Sequence, residues 1–402
     1  MGTATPQAIE AVRGRWPCWI EVDLDAVRHN VAAVQGLLDP GCQVMAIVKS
    51  QAYGHGMMPV ARAALDAGVG WLGVSRVREG VQLREGGLEC PILLLGPMAE
   101  PEIPLVVAGG LRPTVVSEKL AEALSEQAVA QQREVPVHLK LDTGLGRYGA
   151  SLVDVSHLAH LVSCLPGLRL EGLYSHFATA DDEDGSYAAS QVDRFHAARY
   201  ALEGEGLGFS VYHMAASGGA LGVSGSQMGM IRLGLALYGL YPAPHLARRV
   251  HLRPALSVHS RVARVFPLEP GDSVGYGRTF VADRPGQAVL VPFGYADGLP
   301  RSHSNQGYLL INGRRARVIG RVSMDQCVAD VSDCGPVRVG DPVVVIGEQG
   351  GECISCDEFA ERSGTISYEA ITSLGYRVPR VYLRDGRVVG IGYLDEGRVE
   401  EA

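Results

Sequence analysis

The chain has 402 residues, of which 47% are hydrophobic and 20% charged, and 36 Lys and Arg against 44 Asp and Glu give a net charge of −8. This length exceeds the usual size of one hydrophobic core, so two domains are expected, and the composition is typical of an ordered globular protein. Because the net charge is negative, the chain has no general attraction for nucleic acid, and no nucleic-acid partner is expected.

Targeting and redox signals indicate a cytoplasmic location without a membrane partner. The first residues, MGTATPQAIEAVRGRWPCW, lack the apolar core of a secretory signal, and no stretch approaches the ~20 apolar residues of a membrane span. The 8 cysteines are scattered, which predicts reduced thiols rather than a disulfide framework. Cys353 and Cys356 form a lone C-x-x-C without a second pair, so no metal site is expected.

Between about residues 40 and 240, short apolar runs rich in β-branched residues alternate with longer amphipathic stretches, the pattern of repeated βα units. The eight runs are VMAIVKS (44–50), WLGVS (71–75), PILLLG (91–96), LRPTVVS (111–117), VHLKLDT (137–143), LRLEGLYSHF (168–177), VYHMAAS (211–217) and MIRLGLAL (230–237). Eight parallel strands with their helices close most simply as a (β/α)8 barrel of the TIM type, and a doubly wound open sheet is the alternative.

From about residue 250 the pattern changes to alternating segments such as QAVLVPFGY and DPVVVIG, with turn signals between them. Asn312 and Gly313 lie between two such runs and predict a hairpin turn. We therefore expect an α/β fold with a barrel over residues 15–245 and a predominantly β, antiparallel domain over residues 246–390. A strand near residues 18–24 is a candidate to pack with the β domain.

The reactive side chains of a (β/α)8 barrel gather at the C-terminal ends of its strands. The residues expected there are Lys49, Lys140, Arg147, His176, His213, Ser217, Arg232 and Gly234. Lysines, histidines and arginines that converge on one mouth suit an anionic ligand, and a strand-end lysine in apolar surroundings can have its pKa lowered enough to form a Schiff base. A phosphorylated aldehyde cofactor fits both features.

The segment AIVKSQAYGHG around Lys49 closely resembles the cofactor-binding signature of bacterial alanine racemases, which are pyridoxal-phosphate enzymes of fold type III. Further segments follow in the family's order: KLDTGLGRYG, LYSHFATADD, HMAASG, IRLGLALYGLYP, VGYGRTF, FGYADGLPR, GRVSMDQ and TISYEA. The likeness runs from WIEVDLDAVRHN to GYRVPR. It implies that the chain interconverts L- and D-alanine on pyridoxal 5'-phosphate, and so supplies D-alanine for peptidoglycan.

The resemblance assigns two acid/base groups, because inversion requires proton removal on one face of Cα and delivery on the other. Lys49 is the Schiff-base lysine and the first group, and Tyr276 of VGYGRTF is the second. Tyr276 lies outside the predicted barrel, and the family brings it from the partner chain of a head-to-tail homodimer. Arg232 corresponds to the arginine that hydrogen-bonds the pyridine nitrogen and leaves it unprotonated. His176 corresponds to the histidine that links Arg232 to the incoming tyrosine.

The remaining assignments concern the phosphate and the small amino-acid substrate. The resemblance implies that the phosphate is bound by hydroxyl groups and by a backbone N–H at a helix start. The residues are Tyr53, Ser217, Gly234 and Tyr368. It assigns binding of the substrate carboxylate to Arg147 and to the backbone N–H of Met324. It places Tyr295 and Asp325 at the entry to the site. Met324, Tyr295 and Asp325 would come from the partner chain. Lys140 corresponds to a lysine that many members carry as a carbamate, and an unmodified lysine there is also workable.

The chain departs from the family at positions that leave the acid/base groups intact. Ser50 and Gln51 replace the usual Ala-Asn or Ala-Asp, Ala216 stands where many members have asparagine, and Ser323 replaces a common cysteine. Since one methylene or hydroxyl changes selectivity little, serine or broader specificity remains an alternative to alanine.

Two other classes of function remain open. A decarboxylase of related fold shares the barrel and the lysine, but a carboxylate would be expected at the position of Arg232. A non-catalytic pyridoxal-phosphate-binding protein is the third possibility, and the additional β domain that carries Tyr276 argues against it.

Overall fold

The computed structural model describes residues 15–394 and 398–401, and the described chain divides into two compact units. One unit contains Ala26–Ala52 and Met57–Arg253. The other contains the chain up to Asp25, the short segment Tyr53–Gly56 and the chain from Pro254 onward. The β unit therefore takes up three separate segments of the sequence.

Within the described residues of the first unit, eight parallel strands form a closed barrel in chain order, and the last strand pairs with the first. After β1 (Cys18–Asp23), the barrel strands are β2 (Gln43–Ile47), β3 (Trp71–Val74), β4 (Ile92–Leu94), β5 (Arg112–Val115), β6 (Val135–Lys140), β7 (Leu168–Tyr174), β8 (Val211–Ala216) and β9 (Met230–Leu233). Each lies inside one of the predicted apolar runs or extends it by one or two residues. The prediction of a (β/α)8 barrel is confirmed.

Helices alternate with the barrel strands and cover their outer face, as parallel strands that are buried on both faces require. They are α1 (Leu24–Gln35), α2 (Met57–Asp66), α3 (Val77–Glu85), α4 (Ile103–Ala108), α5 (Glu118–Ala130), α6 (Val155–Cys164), α7 (Ser186–Gly204) and α8 (Ser217–Gly222). In α3, the spacing of Val77, Gly80 and Leu83 places three buried residues on one face. No helix in the described ranges combines the length and apolarity that a membrane crossing needs.

The second unit is built on β1 and on strands that follow residue 255. These are β10 (Leu256–Arg261), β11 (Arg264–Leu268), β12 (Ser273–Val274), β13 (Phe280–Val281), β14 (Gly286–Val291), β15 (Tyr308–Ile311), β16 (Arg314–Ile319), β17 (Cys327–Asp330), β18 (Pro342–Gln349), β19 (Glu352–Ile354), β20 (Arg380–Arg384), β21 (Arg387–Tyr393) and β22 (Arg398–Glu401). Helices α9 (Cys356–Ser363) and α10 (Ser367–Thr372) join them.

The main sheet of this unit runs in the order β11-β14-β17-β16-β15-β18-β10-β1-β20-β21-β22, with β19 beside β18. Its pairs are antiparallel except that of β1 with β20, which is parallel. The mostly β character of this domain is confirmed, and this parallel pair departs from the fully antiparallel prediction. Asn312 and Gly313 form the turn between β15 and β16 with φ of 53° and 70°, both positive as a two-residue hairpin turn of this type requires.

Candidate active site

Lys49 follows β2 and begins a turn of unusual handedness. Ser50, Gln51, Ala52 and Tyr53 have φ of 53°, 54°, 52° and 53°, so successive non-glycine residues adopt the left-handed helical conformation. Each such residue costs about 1–2 kcal/mol relative to the right-handed form, so the turn persists only where its surroundings fix it. The sequence does not predict this conformation, since none of these residue types favours it.

Glu79 is one of the groups that hold this turn, and the sequence motifs did not point to it. Its Oε1 accepts a hydrogen bond from the backbone N–H of Ser50 at 2.6 Å, and its Oε2 accepts from the N–H groups of Ser75 and Arg76 at 2.8 and 2.9 Å. Glu79 is the third residue of α3, where an acidic side chain commonly caps a helix start. The capping pattern was the available signal, but it does not predict the additional bond to Ser50.

The C-terminal ends of the barrel strands bring four cationic side chains into electrostatic contact: Lys49, Lys140, Arg147 and Arg232. Burial lowers the pKa of Lys49, the positive charges of Arg147 and Arg232 lower it further, and the carboxylate of Glu79 opposes them. Burial, followed by the charges of Arg232 and Arg147, lowers the pKa of Lys140 to about 8. Both amines therefore lose their proton more readily than an exposed lysine, which makes them better nucleophiles.

Arg232, 3% exposed, lies at the centre of this cluster on β9. Its Nη1 donates to Nδ1 of His213 at 2.8 Å, and its Nη2 donates to Nδ1 of His176 at 3.0 Å and to the carbonyls of Ser175 and Met214. Its Nε–H makes no hydrogen bond to the described residues and is available to an acceptor. The side chain is thus held rigidly by neutral partners.

A chain of hydrogen bonds runs from His213 into the barrel interior. Nε2 of His213 lies 3.0 Å from Nδ1 of His138, and Nε2 of His138 lies 3.2 Å from Oε2 of Glu171. Although burial opposes ionisation, the bond from His138 and the charge of Arg112 lower the pKa of Glu171 to about 2. The guanidinium of Arg232 and the buried carboxylate of Glu171 are therefore connected through the imidazoles of His213 and His138.

The two histidines expected at the mouth do not add positive charge there. His213 is fully buried between Arg232 and His138, so the prediction that it faces an anionic ligand is wrong. Burial, with the charges of Arg232 and Lys140, lowers the pKa of both His176 and His213 well below the ordinary value of 6.5. His176 accepts from Arg232 at Nδ1, so its neutral ring carries the proton on Nε2.

Ser217 and Gly234 are brought together where α8 begins. The hydroxyl oxygen of Ser217 accepts from the N–H groups of Gly234 and Ala236 at 3.0 and 3.2 Å. Its own O–H makes no hydrogen bond to the described residues, so it is available to donate to a ligand. Small residues and backbone donors at this point suit a phosphate group.

Tyr53 and Tyr368 lie in the β unit, where their ring centroids are 6.2 Å apart. Burial, followed by the proximity of Tyr368, raises the pKa of Tyr53 above its ordinary value of 10, so its phenol stays protonated and can donate a hydrogen bond. Gly54 has a φ of 84°, and a Cβ added there would collide with the carbonyl oxygen of Ile371, so this segment requires glycine after Tyr53.

Tyr276, Tyr295, Met324 and Asp325 all belong to the β unit and are exposed. Tyr276, 72% exposed, lies on a short turn between Gly275 and Gly277, each with φ of 72°. It borders a cavity of about 280 Å³ that is also lined by Ser323 and Gln326. An exposed tyrosine on a glycine-flanked turn is available to a partner rather than committed to the core of its own domain.

Two loops of this exposed face are joined by backbone hydrogen bonds and by one arginine. The N–H of Tyr295 donates to the carbonyl of Ser323 at 3.0 Å, which joins the loops. Arg377 donates to Asp297 in the first loop at 2.8 Å and to Asp325 in the second at 2.6 Å. Neither Arg377 nor the buried Asp297 was predicted from the sequence, because they lie 80 residues apart along the chain.

Comparison with known proteins identifies this architecture. A model of the alanine racemase N-terminal domain matches residues 22–242, and one of the C-terminal domain matches residues 255–382. The chain belongs to the alanine racemase family. The resemblance stated from the motifs is thereby confirmed, and members of this family depend on pyridoxal phosphate.

Relatives of known name agree with that membership. The alanine racemase of Symbiobacterium thermophilum is 43% identical, and the alignment covers 92% of this chain and 98% of the relative. The alanine racemase of Desulfosudis oleivorans is 42% identical, and the alignment covers 90% of this chain and 96% of the relative. The crystal structure of alanine racemase from Bacillus anthracis with bound L-Ala-P is similar with a TM-score of 0.90 and 35% identity, over 94% of this chain and 98% of that one. A histidine racemase from Leuconostoc mesenteroides is similar with a TM-score of 0.84 and 27% identity, over 92% and 99%.

The donors of the barrel unit fit the family's cofactor group by group. Lys49 supplies an amine of lowered pKa for the aldehyde, and the unused Nε–H of Arg232 suits the pyridine nitrogen. The hydroxyl of Ser217 beside Gly234 suits the phosphate. Within the described residues no cluster of His, Cys, Asp and Glu could hold a metal ion.

Proposed function

We propose that the protein is an alanine racemase that interconverts L- and D-alanine by proton transfer at Cα between two bases on opposite faces. The observation that carries this proposal is Arg232: its side chain is bonded to imidazoles and carbonyls, and its Nε–H is left for an acceptor. A protonated guanidinium at this point favours simple proton exchange over decarboxylation, for which a carboxylate would be expected.

Pyridoxal phosphate, when bound, withdraws electron density from Cα of the amino acid and so acidifies its proton. Lys49 removes or returns that proton on one face, for which the lowered pKa of its amine is suited. Tyr276 of the partner subunit does so on the other face. The neutral ring of His176 presents its Nε2–H to that phenol oxygen, so the oxygen keeps a hydrogen-bond donor after it has given up its proton.

We further propose a head-to-tail homodimer in which each chain completes the site of the other. Support comes from the exposure of Tyr276, Tyr295 and Met324, at 72%, 45% and 52%, since large apolar side chains clustered on a surface mark a contact with a partner. Met324 would offer its backbone N–H to the substrate carboxylate, and Tyr295 and Asp325 would narrow the entry.

The binding groups of the barrel follow the same scheme. Arg147 binds the substrate carboxylate, and Ser217 and Gly234 bind the phosphate. Lys140 is the candidate for carbamylation: with a pKa of about 8, part of its amine is neutral and able to react with carbon dioxide. The resulting negative charge would balance the neighbouring guanidinium of Arg147.

A cytoplasmic location is also proposed. Its support is that the eight cysteines, all within the described residues, are free thiols, which persist in reducing compartments.

The test is a chiral assay of the protein with pyridoxal phosphate in deuterium oxide across a panel of L-amino acids. The expected product is D-alanine labelled at Cα, and absence of exchange for every amino acid would refute racemisation. Comparable labelling of serine or histidine would replace alanine specificity by a broader one. Release of carbon dioxide from a basic amino acid would instead identify a decarboxylase.

A further inference from the structure

Glu79 joins three segments of the barrel unit through one carboxylate. The left-handed turn after β2 contributes the N–H of Ser50, and the end of β3 with the start of α3 contributes those of Ser75 and Arg76. Both oxygens are therefore used, one toward the turn and the other toward the helix start. The shortest of these bonds, at 2.6 Å, is the one to the residue that follows Lys49.

The left-handed turn has few other anchors on the barrel side. The N–H of Ala52 donates to the carbonyl of Val48 at 2.8 Å, and the side chain of Gln51 accepts from the N–H of Met57 at 3.2 Å. Both of these are bonds between neutral groups, which are weaker than a bond to a carboxylate. Of these three bonds to the turn, the one to Glu79 is thus the bond made by a charged group.

Glu79 also differs in charge from its surroundings. The charged or titratable groups that act on Lys49 are Glu79, Lys140, Arg147, His176 and Arg232. His176 is neutral, and the other three are cations, so Glu79 is the anion in this set. Its position on α3, beside the turn, lets one carboxylate act on both the orientation of Lys49 and the electrostatic surroundings of its amine.

We propose that Glu79 is a positioning residue, whose carboxylate fixes the left-handed turn that directs Lys49 and offsets the positive charge of Arg147 and Arg232 at the Lys49 amine. The inference rests on the proposed role of Lys49. Glu79 acts through Lys49 and is not itself proposed to contact the substrate.

The test compares E79Q and E79D with E85Q, an exposed glutamate on the same helix that serves as the matched control. In E79Q the single carbonyl oxygen can face either Ser50 or the helix start, and the two N–H donors of Ser75 and Arg76 favour the latter. E79D keeps the charge but is one methylene too short to span both sides. Neither variant introduces a larger side chain, so each is expected to fold.

The first readout is hydrogen exchange of the Ser50 amide in the full chain with pyridoxal phosphate bound, followed by mass spectrometry. Loss of a bond to a carboxylate predicts exchange roughly tenfold faster or more in E79Q and E79D, with no change in E85Q. Exchange equal to that of the unsubstituted chain in both variants would overturn the positioning role. Faster exchange spread evenly over the barrel would also overturn it, since it would indicate general destabilisation.

The second readout is the pH dependence of chemical labelling of Lys49 in the full chain after the cofactor has been removed. E79Q is expected to lower the pKa of Lys49, because the opposing charge is gone, while E79D and E85Q leave it close to the original. An unchanged titration in E79Q would overturn the electrostatic part. Both readouts are made without substrate, so they can succeed or fail independently of whether the chain racemises alanine.

Discussion

Nη1 of Arg232 lies 2.8 Å from Nδ1 of His213, and this contact determines which ring nitrogen of His213 and of His138 carries the proton. Because a guanidinium can only donate, Nδ1 of His213 accepts and its proton lies on Nε2. That proton is donated to Nδ1 of His138, whose own Nε2–H then faces the carboxylate of Glu171. All three bonds point in one direction, from a cation near the cofactor site to an anion inside the barrel.

Replacing His213 by Phe should destabilise the barrel by about 1–3 kcal/mol, because the buried guanidinium of Arg232 and the ring of His138 each lose a partner. Thermal unfolding measures the change. The matched control is His157→Phe, which alters an exposed histidine paired with Glu118 at the surface. Equal melting temperatures for the two variants would show that the hydrogen-bond chain from Arg232 through His213 and His138 to Glu171 does not stabilise the barrel.

Replacing Tyr276 by Phe should lower turnover by about 10²–10⁴, the usual contribution of one acid/base group, and leave the absorbance of the bound cofactor intact. The measurement is kcat in both directions together with the visible spectrum. Tyr200, exposed on the barrel unit, provides the control variant Tyr200→Phe. A Tyr276→Phe enzyme that retains full activity would remove the tyrosine from the mechanism.

The lowered pKa of Lys140 predicts a pH dependence of stability in buffer free of carbon dioxide. The native amine titrates near pH 8, whereas the ordinary value is 10.5. Between these values the unfolded chain binds more protons than the native chain, so the free energy of unfolding rises with pH. Below pH 8 the amine is charged in both states, and the full cost of burying that charge in the native state remains. The melting temperature relative to K140Q should therefore increase from pH 7 to pH 10.

The same experiment tests the carbamate. Added bicarbonate should abolish that dependence on pH, since a carbamylated Lys140 no longer titrates as an amine. A dependence that persists in bicarbonate would show that the lysine remains unmodified.

Replacing Arg377 by Ala should loosen the two loops that carry Tyr295 and Asp325, which would keep their backbone hydrogen bonds and lose the side-chain link. We expect KM for alanine to rise more than kcat falls, and stability to drop by about 1 kcal/mol, because the buried carboxylate of Asp297 loses its partner while Arg377 is half exposed. Steady-state kinetics and thermal unfolding check both effects. Arg284→Ala, which breaks an exposed pair with Asp333, is the control and should change neither.

The sequence predicted the parts of the fold that follow from local pattern. The apolar runs located all the barrel strands, and the pair Asn312-Gly313 located a hairpin, because strand burial and turn conformation depend on neighbouring residues. The family and its cofactor followed from the motifs around Lys49 and Arg232.

The remaining features depend on tertiary contacts. The left-handed conformation of Ser50 to Tyr53 opposes the preference of each residue and exists because distant groups such as Glu79 hold it. The hydrogen-bond chain from Arg232 to Glu171 had a signal in the sequence, because His138 and Glu171 are buried polar residues with apolar neighbours in β6 and β7. Polar residues at such positions require partners, and the sequence alone did not show which.

The distribution of the β unit over three stretches of sequence limits how the gene can be divided. A fragment ending at residue 253 would retain β1 without β10 and β20, the strands on either side of it. Its backbone N–H and C=O groups would then form two open strand edges, which recruit other chains and promote aggregation. The barrel cannot therefore be excised by a single cut, and an evolutionary exchange of the C-terminal half would have to preserve the pairing surface of β1.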